Sequence, residues 1–246
     1  MVRNGVGDEG AVGDAVERIT AGHADASTLG RLTKVLGGSA RAAGAGAVAS
    51  GRWLAETMID VAPRIPVRDR ATLELHHEGL TGAALGDELV KVAARTSAGV
   101  GAAAGALASA EELAPPAWLA LPLELVVETL AVAAIEMKLV AELHEVYGEP
   151  ITGSPSDRAL AVVKAWAERR GVTPAAIAKG AGVADTLGRG ARNEVVRIVR
   201  RRLIRRMGRN LSTLAPLFIG AFAGAEVNRR ATRGLGDAIS RDLRAR

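Results

Sequence analysis

Cysteine is absent from the 246 residues of this chain. Disulfides, thiolate metal sites and cysteine nucleophiles are excluded before any motif is read, and the composition suits a reducing cytoplasm. Aromatic residues are scarce: Trp53, Trp118, Tyr147, Trp166, Phe218 and Phe222 are the full set. Nucleic-acid stacking platforms need more rings than this. The core is left to Leu, Val, Ile and Ala, whose small bodies let helices approach closely. Sustained period-2 alternation with β-branched residues is missing too, so no sheet is predicted. Nor is there an uncharged run of the roughly 20 residues that a membrane-crossing helix needs. The two longest candidates, residues 96–110 and 211–225, are fifteen residues each. They are expected to form buried hairpins, with a dip into lipid as the sharper alternative. The opening MVRNGVGDEGAVGD has no apolar signal segment. Residues 1–13 are expected to be a disordered leader, ahead of a single helical domain over residues 14–246.

Apolar residues at three-and-four spacing recur from Leu29 to the C-terminus. They predict an all-α fold, a multi-helix bundle without a sheet. Punctuation marks the helix ends: Pro63 and Pro66 after residues 53–61, then Pro115, Pro116 and Pro122 between two long segments, then residues 148–155. Thr173-Pro174 reads as an N-cap followed by a first-turn proline. Both uncharged stretches carry paired glycines four apart, Gly101 with Gly105 and Gly220 with Gly224. Such pairs put two bare backbone positions on one helical face, where another helix can come close.

Candidate chemistry is sparse. Glu74 and His77 share a helical face, half of the carboxylate–histidine motif that di-iron bundles use twice. The second half is missing, because Ala141 stands three residues before His144. His76 and His77 point about 100° apart on a helix and cannot chelate together. No metal and no cofactor is assigned, since Gly-rich phosphate loops, nucleophile elbows and dinucleotide fingerprints are also missing. Between Pro122 and Tyr147, a helical wheel gathers most of Glu124, Glu128, Glu136, Lys138, Glu142 and Glu145 on one side, which is expected to be solvated. Glu136 is the exception: it falls among Leu125, Thr129, Val140 and Leu143. An ionised carboxylate there needs a partner. It is expected to form a buried tie between helices, an arginine being the natural partner, or else to be a tuned acid in the pocket of a helical enzyme.

Positive charge crowds the region after Ala191, whereas residues 111–149 are mostly acidic. Residues 193–209 form a basic amphipathic helix on a wheel. Val195, Val196, Val199, Leu203 and Met207 make one stripe, and Arg197, Arg200, Arg201, Arg205 and Arg209 spread over the other side. These arginines can face water, anionic lipid or phosphate. Residues 173–189 superficially resemble a helix-turn-helix through Ile177, Ala178, Gly182 and Val183, but Gly188 falls where the second helix should bury an apolar side chain. DNA binding is kept as the alternative function.

Two blocks are similar to the EcsC family of bacterial proteins. One is Glu142-Leu-His-Glu-Val-Tyr147-Gly148, a helix finishing in a Tyr-Gly pair before a polar loop. The other is Pro216-Leu-Phe-Ile-Gly220-Ala-Phe-Ala-Gly224-Ala-Glu-Val-Asn228, a proline, a glycine-spaced apolar helix and an asparagine. The resemblance covers residues 89–243. It implies an all-helical, membrane-associated bacterial protein, and it implies no established reaction or cofactor. It also singles out Asn228, which joins Glu136 as a candidate for a buried polar site. The partner expected from these readings is an anionic membrane surface or a membrane-protein partner, with nucleic acid second.

Overall fold

A computed structural model of the chain describes residues 5–44, 52–111, 123–169 and 217–246. Eight α-helices pack on one another there: α1 (Gly5–Thr20), α2 (Ala26–Ala43), α3 (Arg52–Val61), α4 (Arg70–His76), α5 (Gly82–Glu111), α6 (Leu123–Val146), α7 (Pro155–Arg169) and α8 (Leu217–Arg244). Among the described residues there is no strand, as the apolar spacing predicts.

Local chemistry sets the boundaries. Asp25 caps α2 by accepting from the Thr28 amide at 2.8 Å, and Asp69 caps α4 in the same way through Thr72. Pro63 ends α3 in a short 3-10 turn, Ala62–Arg64. Tyr147-Gly148 ends α6, with Gly148 at φ 78°, a left-handed backbone that glycine adopts without steric cost.

Helix α6 is the axis of the bundle, touching α1, α2, α3, α4, α5, α7 and α8. Its apolar residues run almost without a break, so it has no solvent face to offer and is buried from Val126 to Leu143 with only Glu128 partly open. Beside it, α5 and α8 lie antiparallel in close contact. The position a Gly101 side chain would take lies 2.8 Å from the backbone nitrogen of Ala225 and 2.9 Å from the carbonyl carbon of Gly224. Gly236 meets Val90 and Leu139 further along the same seam. Missing Cβ atoms thus bring two long helices to backbone contact, and the salt bridge from Arg244 to Asp87, 2.7 Å, closes the far end.

Three expectations change. Residues 5–13 are not a disordered leader: α1 includes them, because Val12, Ala15, Val16 and Ile19 form a buried stripe and the Arg64 side chain lies over Gly13. Residues 96–110 are not a hairpin but the second half of α5, and residues 217–225 open the single helix α8. A continuous helix satisfies its backbone without the turn that a hairpin requires. Finally, the charged side of α6 is not solvated where it carries Lys138 and Glu142. Glu142 and Lys138 are 4% and 7% exposed, since other helices cover that side as well.

Candidate functional site

Two polar clusters sit on α6. The first is closed. Glu136 is fully buried, and its Oε2 accepts from the Trp166 indole N–H at 2.7 Å while its Oε1 accepts from the Thr232 hydroxyl at 2.9 Å. Thr232 Oγ1 is in turn 3.0 Å from Ser97 Oγ. Four helices, α5, α6, α7 and α8, are tied at one carboxylate. The hydrogen bonds shown come from an indole and a hydroxyl. An indole N–H thirty residues away leaves no mark in local spacing, which is why Trp166 and Thr232 escape a reading of the sequence. One turn of the bundle away, Asn228, 2% exposed, donates from Nδ2 to Glu128 at 2.6 Å and lies beside Gly101. Glu136 and Asn228 are therefore both buried along the contact of α6 with α8.

The second cluster is open. Lys138 donates to the Pro66 carbonyl at 2.5 Å and to Glu142 Oε1 one turn along α6. Arg68 approaches the same oxygen, with Nε at 3.6 Å and its backbone N–H at 3.4 Å. Arg68 Nη1 also reaches His76 Nδ1 at 3.1 Å. Burial pushes the Lys138 ammonium below its ordinary range, and the Glu142 carboxylate opposes that shift. These side chains border a cavity of about 190 Å³, whose remaining walls include His77, Leu89, Val92 and Leu139. Glu136 lines neither this cavity nor the mixed polar and apolar groove between Ile65, Met137 and Val162.

The other predicted residues divide as follows. Gly101 and Gly224 meet across the α5–α8 seam. Gly105 and Gly220 lie in those same helices, but their surroundings fall outside the described residues, as do those of Phe218 and Phe222. Arg197, Arg200, Arg201, Arg205 and Arg209, with the helix-turn-helix-like segment, also lie outside them. Glu74 is engaged by Arg70 at 2.7 Å, and His77 follows the last residue of α4. Among the described residues no three His, Asp or Glu side chains converge as metal ligands would. No described helix is long and apolar enough to cross a membrane.

The two blocks that carry the EcsC resemblance lie toward opposite ends of α6. The Tyr147 hydroxyl accepts from Arg244 at 2.9 Å and sits over Gly86, while Asn228 in the other block holds Glu128. Both blocks have a packing role that their local chemistry explains. No family model, no curated protein and no solved structure matches the chain.

Proposed function

We propose that this is a non-enzymatic helical protein of the EcsC-like type that attaches peripherally to an anionic membrane surface, or to an acidic membrane-protein partner within it. Its basic C-terminal part forms the attachment face. The observation that carries the reading is charge segregation. From Arg192 onward there are fourteen arginines and four acidic residues, an excess of +10 in a chain whose total is +5, so the preceding part is net negative. Arginines gathered at one end act together on an anionic surface, at about 1 kcal/mol each. The outward side of α8 supports the same reading. Val227 is 61% exposed there, and Arg230 and Arg233 follow on the exposed surface. An apolar residue among arginines suits an interface between water and lipid.

The test is co-sedimentation with protein-free vesicles, neutral or containing about a third of anionic phospholipid, across a salt series. Retention on the anionic vesicles that falls with salt is expected. Changing Arg200, Arg201 and Arg205 together to Glu should abolish it. Sequence-selective duplex binding without vesicle binding would instead favour the helix-turn-helix alternative.

A further inference from the structure

The cavity beside Lys138 is chemically asymmetric. Two of the three ammonium hydrogens of Lys138 are used, by Pro66 O and Glu142 Oε1, and the third has no acceptor among the described residues. Arg68 and Lys138 together outweigh the one carboxylate, Glu142, so the polar end is net positive. His76 adds a donor without adding charge: its Nδ1 faces an Arg68 N–H and accepts, which leaves the proton on Nε2. Opposite these groups the walls are Leu89, Val92, Ala93, Ile135 and Leu139. One polar feature runs the other way. All the hydrogen bonds to Glu142 end on Oε1, so Oε2 is an acceptor with capacity to spare.

We propose that this cavity is a binding site for a small organic acid with a short apolar body and a hydroxyl beside its carboxylate. The carboxylate takes the unused Lys138 hydrogen, together with Arg68 and His76. The hydroxyl donates to Glu142 Oε2, and the apolar body lies against Leu89, Val92 and Leu139. A cavity of about 190 Å³ suits a ligand of a few heavy atoms. Burying a lysine and a glutamate together contributes little to stability compared with apolar residues of the same size, and a ligand that uses their spare hydrogen-bonding capacity gives the pair a function. The site does not depend on the attachment face proposed above.

Isothermal titration of the full chain with sodium 2-hydroxybutyrate tests this. A dissociation constant on the order of 1 mM or tighter is expected for so small a ligand. Butyrate, which lacks the hydroxyl, should bind several-fold more weakly, and 1,2-butanediol, which lacks the charge, should not bind measurably. Inorganic phosphate should bind roughly tenfold more weakly, because it leaves the apolar wall wet. Arg68→Gln should weaken 2-hydroxybutyrate roughly tenfold. His76→Ala, at an exposed residue whose loss spares the core, should weaken it to a smaller extent and keeps the test intact if the first variant fails to fold. Absence of binding by the native chain, phosphate binding as tightly as the hydroxy acid, or unchanged affinity in the folded variants would each overturn the proposal.

Discussion

Glu136 and Lys138 stand two residues apart on α6, which places them on roughly opposite sides of the same buried helix. On the Glu136 side, α5, α7 and α8 close over the carboxylate with an indole and a hydroxyl, and it lines neither of the two cavities described above. On the Lys138 side the partners are a backbone carbonyl, a glutamate one turn away and an arginine from the segment before α4, and a cavity stays open beside them. Short, stiff donors held on packed helices can meet a buried carboxylate while the helices remain in contact. A long ammonium side chain cannot be enclosed so simply, because its several donors need acceptors from several directions. The closed side therefore serves the fold, and the open side has binding capacity to spare.

The closed side should be the more fragile, and its seam the most fragile part. Gly101→Leu would drive a side chain into the backbone of Gly224 and Ala225, which cannot move aside as a side-chain tip can. A loss of about 3 kcal/mol, at the upper end of the overpacking range, is expected in denaturant unfolding. Wild-type stability in this variant would mean that the α5–α8 contact is not close. Next in size is Glu136→Ala, which strands the Trp166 N–H and leaves a void, at a cost between about 2 and 3 kcal/mol. Glu136→Gln should cost about 1 kcal/mol. Its oxygen can accept from Trp166 while its amide donates to Thr232, whose own proton turns toward Ser97. Equal losses for Ala and Gln would show that the hydrogen bonds of this cluster contribute nothing beyond volume.

How much of this was legible depends on whether the signal is local. Helix ends at Pro63, Pro155 and Gly148 are local, and so is the all-apolar run of α6 that puts it in the core. The displaced position of Glu136 on its wheel marks it as a residue in need of partners. The partners themselves, Trp166 and Thr232, come from helices thirty and ninety-six positions away, and nothing in their neighbourhoods names them. The α1 stripe of Val12, Val16 and Ile19 was readable but diluted by surrounding glycines. Lys138 and Glu142 look like a surface pair at i and i+4 spacing. Only the packing of other helices over that side shows them to be interior and beside a cavity.

The open side can be examined by a double-mutant cycle. Lys138→Met leaves Glu142 with Arg68 as its remaining cation and should cost about 2 kcal/mol, less than for a pair with no third member. Adding Glu142→Leu should recover most of that loss, since two apolar side chains of similar size then replace two buried charges. If the double variant were as unstable as the sum of the singles, the two residues would not act as a pair.

The smallest expected effect is a pH dependence that belongs to the open side alone. Burial lowers the Lys138 pKa from its ordinary 10.5, the attraction of Glu142 only partly offsetting it. At a pH between the lowered folded value and 10.5, the unfolded chain holds this proton more often than the folded chain does. Stability must rise with pH across that interval, and the cost of burying the charge is present in full below it. Other lysines titrate in the same range, so the informative quantity is the stability of the native chain minus that of Lys138→Met, followed by denaturant unfolding from neutral pH to about 10.5. This difference should move in favour of the native chain as the alkaline end is approached. The Glu136 variants, which leave Lys138 in place, should show the native slope. A difference that stays flat, or one that moves toward the methionine variant, would mean that Glu142 and the Pro66 carbonyl hold the ammonium at least as favourably as water does, and the contrast between the two sides of α6 would then be one of shape and not of charge.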